Sequence, residues 1–85
     1  MNNYKAQINI TLREGILDVQ GKTVEHALHS IDYPMISQLR IGKFVEMNID
    51  ANNSESAAKL ADEACKKLIA NPIIEDYKIT ISESE

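Results

Sequence analysis

From Tyr4 to Arg13, apolar and polar positions alternate. Tyr4, Ala6, Ile8, Ile10 and Leu12 share one face, and Lys5, Gln7, Asn9, Thr11 and Arg13 share the other. A period of two predicts a half-buried strand with a polar outer face. Glu14-Gly15 breaks the alternation. Asp18 is placed to cap a helix, because its carboxylate can accept the free amides of a first turn. Val24, Ala27, Leu28 and Ile31 then follow at i, i+3, i+4 and i+7, the buried stripe of that helix. Pro34 forbids continuation and biases Tyr33 away from helix. Residues 35–41 and 44–50 predict two strands around Gly42-Lys43, a pair suited to a type II′ hairpin turn. Leu39 and Ile41 alternate before that turn, and Val45, Met47 and Ile49 after it. Asn53 or Ser54 can cap a second helix, with Glu55 at its electropositive end. Ala57, Leu60, Ala61, Ala64, Cys65 and Leu68 form its stripe, and Lys66 and Lys67 lie in its last turns. Asn71-Pro72 stops it. Residues 73–81 predict a last strand, followed by a polar tail at 82–85.

The predicted order is β-α-β-β-α-β. Two helices on one face of a four-stranded, antiparallel-type sheet give a two-layer α+β domain of ferredoxin-like type. The pattern leaves the strand order open. The uncovered face would carry Gln7, Asn9, Thr11, Gln38, Arg40, Glu46, Asn48, Lys78 and Thr80, wet enough to stand in solvent or to meet a partner.

The 85 residues allow one domain, 1–85, with one thin core and no deep cleft between lobes. The net charge of −4 is concentrated in the second half; residues 1–42 balance to zero. An acidic chain without a basic stripe is a poor match to a phosphate backbone, which argues against nucleic-acid binding. No apolar run is long enough for a membrane span, and the first residues show no secretory pattern. With one cysteine, Cys65, a reducing cytoplasm is the expected setting.

Candidate chemistry is sparse. His26 and His29 could share a metal, but no third ligand is near in sequence, so solvated histidines flanking the helix stripe are the simpler reading. Cys65 sits among small apolar residues and reads as a buried core thiol. Asp18 reads as a cap. Asp62 and Glu63 are adjacent on a helix and point apart. Val19-Gln20-Gly21 resembles a loop of acylphosphatases, whose reaction needs an Arg four residues later. Glu25 stands there and would repel a phosphate. No catalytic residue and no metal ligand is expected. Arg40 and Lys43 place two cations at one predicted turn.

Three segments together resemble PurS, the small subunit of bacterial and archaeal phosphoribosylformylglycinamidine synthase. They are Gly15-Ile16-Leu17-Asp18-Val19-Gln20-Gly21-Lys22, Leu39-Arg40-Ile41-Gly42-Lys43, and Cys65 through Tyr77 with its Asn71-Pro72-Ile73-Ile74-Glu75 centre. They come in the family's order and spacing. One departure is Val19, where the family often has Pro. The resemblance implies a role in purine biosynthesis without catalytic residues in this chain. It implies a bridge between a PurL-type synthetase, which uses ATP and Mg²⁺, and a PurQ-type glutaminase that releases ammonia. It also implies self-association to a dimer or tetramer. Arg40, Gly42, Lys43, Asn71, Pro72 and Glu75 are the expected partner-binding residues, and no cofactor is expected on the chain itself. The rival expectation is a small-molecule-sensing module of ACT type.

Overall fold

The computed structural model describes residues 2–83. The order is β1 (Asn2–Leu12), α1 (Val19–Ser30), β2 (Lys43–Ala51), α2 (Ser54–Ala64) and β3 (Glu75–Glu83), with one wide π-helical turn, Cys65–Ile69, extending α2. The three strands form an antiparallel sheet in the order β2-β1-β3. Ile8 faces Val45 on one side and Ile79 on the other. Both outer strands are antiparallel to β1, so β2 and β3 run parallel with β1 between them.

The alternation in β1 does what its period requires. Tyr4, Ala6, Ile8 and Ile10 are all buried under α2. Ala57, Ala61 and Cys65 bring the helix down onto them; their small side chains allow close approach. The core comprises Ile8, Ile10, Cys65 and Ala70, flanked by Val45, Met47, Ile69, Tyr77 and Ile79. A second cluster joins Tyr4, Ala51 and Ala57. Both helix caps form as expected. Asp18 accepts from the Gly21 amide at 2.8 Å, and Asn53 Oδ1 accepts from the Ser56 amide at 2.8 Å.

The four-stranded sheet is not formed. Residues 35–41 are irregular, and the expected hairpin at Gly42-Lys43 is absent; Lys43 already pairs with Ile10 as the first residue of β2. The reason lies in where the backbone amides go. Leu39 N–H donates to Glu25 Oε1 at 2.8 Å and Ile41 N–H donates to Asp18 Oδ2 at 2.8 Å, both on the α1 side. A third contact, from the His29 ring Nε2 to the Ile36 carbonyl, is 2.6 Å. Gln38 has φ +55° and Asp32 φ +78°, left-handed backbone that interrupts an extended run. Gln38 and Arg40 therefore do not join the polar face of the sheet.

Nor do two helices cover one face. α2 packs on all three strands, whereas α1 leaves the end of the sheet and buries only Gly21. Val24 and Ile31, expected in a buried stripe, are 38% and 60% exposed. α1 and the return segment 31–42 form an arm, zipped together by the three contacts above, and the molecule measures 52 × 29 × 14 Å. β3 begins two residues later than expected and includes Ser82 and Glu83; Ser84 and Glu85 of the expected polar tail lie outside the described residues.

Candidate functional site

The six expected partner-binding residues come from two distant stretches, 40–43 and 71–75. The fold brings these together at one end of the sheet. Lys43 opens β2 and Glu75 opens β3; they flank Ile10 and Leu12 of β1. Lys43 Nζ and a Glu75 carboxylate oxygen are 3.2 Å apart.

The 71–75 corner is built by Asn71. Its Oδ1 accepts from the Ile73 amide at 3.1 Å, and its carbonyl accepts from the Glu75 amide at 2.7 Å. Such local bonding is why Asn favours turns. Glu75 returns the contact, accepting from the Asn71 amide at 2.7 Å. That amide, together with Lys43, holds the Glu75 carboxyl below its ordinary range. The turn pushes Ile73 out, 81% exposed, with Ile74 beside it and Leu68 of the π-helical turn 89% exposed.

The 40–43 stretch is tied down too. The Arg40 guanidinium donates to the Leu12 carbonyl. At Gly42 the chain passes so near β1 that a Cβ would overlap the Ile10 carbonyl oxygen and sit 3.0 Å from Thr11 Cγ2. Gly42 is thus a close-approach residue, not a hairpin-turn residue.

Arg13 completes this end and was not singled out from the sequence. Its amide donates to the Ile74 carbonyl at 2.8 Å, its guanidinium donates to the Pro72 carbonyl, and Nε lies 3.5 Å from Asp76. The only sequence signal was its place as the last polar residue of the β1 alternation. Glu25 was also missed as an anchor. Asp18 carries more than a cap: the Ile41 and Gly21 amides together hold its carboxyl below its ordinary value.

The chemistry of the remaining groups is structural. The Tyr77 hydroxyl donates to Asp62 Oδ1 at 2.6 Å, and Lys66 Nζ is 3.0 Å from the same carboxylate, linking α2 to β3. The bond to Asp62 pushes the Tyr77 phenol up to about 12. Burial pushes the Cys65 thiol up, away from the thiolate a nucleophile needs. His29 is spent on the Ile36 carbonyl. Among the described residues, no three His, Cys, Asp or Glu side chains gather to hold a metal. The end of the sheet offers exposed apolar side chains beside fixed cations and carbonyls, which is recognition chemistry.

The model of the PurS family, phosphoribosylformylglycinamidine (FGAM) synthase, matches residues 5–83. The chain belongs to the PurS family. It is 41% identical over 80 residues to the FGAM synthase subunit PurS of Bacillus subtilis, with 94% of each chain covered. Among solved structures, Methanocaldococcus jannaschii PurS superposes with a TM-score of 0.87 at 34% identity, covering 96% of this chain and 99% of that one. That protein is described as one of the subunits of formylglycinamide ribonucleotide amidotransferase in the purine biosynthetic pathway. A chain of the Thermotoga maritima PurLQS structure superposes with a TM-score of 0.89 at 29% identity, covering 96% of this chain and all of that one. These matches favour the PurS reading over the ACT-type alternative.

Proposed function

We propose that the chain is the small, non-catalytic subunit of FGAM synthase. In this reading it holds a PurQ-type glutaminase against a PurL-type synthetase so that ammonia passes between them. The observation that carries it is the full-length match to a chain of the Thermotoga maritima PurLQS structure. ATP and Mg²⁺ belong to the synthetase in this reading, the chain holds no cofactor, and the complex works in the cytoplasm. No helix among the described residues is long and apolar enough to cross a membrane.

The physical purpose of such a bridge is concentration. Ammonia released into water at neutral pH is largely protonated and is no nucleophile. Holding the source against the consumer raises the local concentration of neutral ammonia without altering either chemistry. The contact surface we assign is the end of the sheet carrying Arg40, Gly42, Lys43, Asn71, Pro72 and Glu75, with Ile73 as its apolar centre. Gly42 and Glu75 shape that end, while Ile73 and the cations face outward. Ile73→Asp and Arg40→Glu should each weaken co-elution with the PurL-type and PurQ-type subunits by about tenfold or more. The circular dichroism of the isolated chain should stay unchanged. Co-elution equal to that of the unmodified chain for both variants contradicts the assignment.

A further inference from the structure

One large apolar residue of the second helical stripe ends on the side away from the core. Ala57, Ala61 and Cys65 are buried against the sheet. Leu68 is seven residues on from Ala61 and three from Cys65, so a continued α-helix would turn it the same way. It is 89% exposed instead. The cause is the wide turn Cys65–Ile69, in which the Ala70 amide donates to the Cys65 carbonyl, five residues back, at 2.9 Å. That hydrogen bond encloses one residue more than an α-helical one does. Ile69 takes the place against the core that Leu68 would otherwise fill, and Leu68 is passed outward.

Leu and Ile are alike in volume and apolarity, so the core gains nothing from this exchange that a regular helix would not give it. What the exchange does is display. Leu68 and Ile73 leave the chain on either side of the inward-facing Ile69 and Ala70, and both stand in solvent. The backbone between them is fixed. Asn71 Oδ1 accepts from the Ile73 amide, and the Arg13 guanidinium donates to the Pro72 carbonyl. The carboxylates of this stretch are all engaged: Asp62 with Lys66, Glu75 with Lys43 and Asp76 with Arg13. Among the described residues, Lys67 is exposed and has no ion-pair partner. An unopposed positive charge thus sits beside the apolar pair, on a chain whose net charge is −4.

We propose that the wide turn exists to present Leu68, with Ile73, as an apolar anchor for a different protein, whose matching surface is an apolar pocket with a carboxylate at its rim. Side chains held on fixed backbone lose little freedom on binding, so their burial is converted into affinity with small loss. Lys67 at the edge of the pair calls for an Asp or Glu opposite it. A second copy of this chain is the wrong occupant. A two-fold contact sets a patch against itself, and Lys67 would then face its own image. The inference rests on the bridging role proposed above. It adds Leu68 and Lys67 to the contact surface and gives the irregular end of α2 a purpose.

The test pairs the melting temperature of the isolated chain with its co-elution with the PurL-type and PurQ-type subunits, tried singly and together. Leu68→Ala should melt like the unmodified chain, because the side chain is in solvent, yet co-elute about tenfold more weakly. Deleting Leu68 removes the extra residue. Ile69 then falls seven positions on from Ala61, the α-helical core position, so this chain should melt no lower than the unmodified one and still lose co-elution about tenfold or more. Lys67→Glu should weaken co-elution more at low salt than at high salt. Leu68→Ala co-eluting as tightly as the unmodified chain, while Ile73→Asp does not, would overturn the role of Leu68 and leave the bridging surface standing. Full co-elution by Leu68→Ala, Ile73→Asp and Arg40→Glu alike would remove that surface as well. A deletion chain that melts far below the unmodified one would overturn the register argument. Altered sedimentation of isolated Leu68→Ala would place the residue between copies and overturn the choice of occupant.

Discussion

Gly42→Ala separates two accounts of one glycine. If Gly42 were a hairpin-turn residue, alanine would fail through backbone conformation. In the structure its φ is not in the left-handed region, and the obstacle is the Ile10 carbonyl oxygen of β1. That oxygen belongs to the central strand, which β3 holds on its other side with Ile10 opposite Tyr77, and it cannot rotate aside as a side chain does. Thr11 Cγ2, 3.0 Å from the added carbon, closes the second direction. Accommodation therefore requires the start of β2 to move off β1, an overpacking that costs about 1–3 kcal/mol. For a chain of this size each kcal/mol lowers Tm by roughly 4–8 °C, so a fall of about 5–20 °C is expected. The assay is a thermal melt at fixed protein concentration, since association would otherwise shift Tm. Gly15→Ala is the control: it meets no atom within 4 Å but has φ +87°. Its cost is conformational, about 1–2 kcal/mol. Gly42→Ala melting within a degree or two of the unmodified chain would refute the close-approach argument.

Two further outcomes follow from the ionisable groups. Glu75 is held below its ordinary value by the Asn71 amide and Lys43; a depressed carboxylate stabilises above its unfolded pKa and loses that contribution as pH falls through the folded one. The urea midpoint should therefore fall on acidification below about pH 4.5, less steeply in Glu75→Gln; equal slopes would contradict this. Tyr77, pushed up to about 12 by Asp62, favours the protonated phenol, a stabilisation present below pH 10 and lost as pH rises toward 12. An absorbance titration, with Tyr77→Phe subtracted, should show this phenol ionising earlier in Asp62→Asn; an unmoved titration would remove Asp62 as its cause.

Much of the fold was legible because local signals agreed with it. The β1 alternation, the Asp18 and Asn53 caps, and the small-residue stripe of α2 each point to one packing. The fourth strand misled because residues 35–41 offer only Leu39 and Ile41 as alternating apolar positions. Their amides pair with carboxylates of Asp18 and Glu25, which lie 23 and 14 residues earlier. Side-chain competition for backbone donors at that range leaves no periodic trace. The α1 stripe misled in the same way: periodicity marks Val24 and Ile31 as apolar but does not say that they are buried, and both stay exposed. At the candidate site, the family segments identified the two stretches. The pairing of Lys43 with Glu75 and the three contacts of Arg13 with Pro72, Ile74 and Asp76 depend on the β2-β1-β3 order, which no pattern in one sequence supplies.

The bridging role is tested most directly by reconstituting amidine formation from the PurL-type and PurQ-type subunits with glutamine, ATP, Mg²⁺ and formylglycinamide ribonucleotide, with and without this chain. The account predicts that glutamine-driven product needs the chain, while product driven by added ammonia depends on it far less. Equal glutamine-driven turnover without the chain would contradict it.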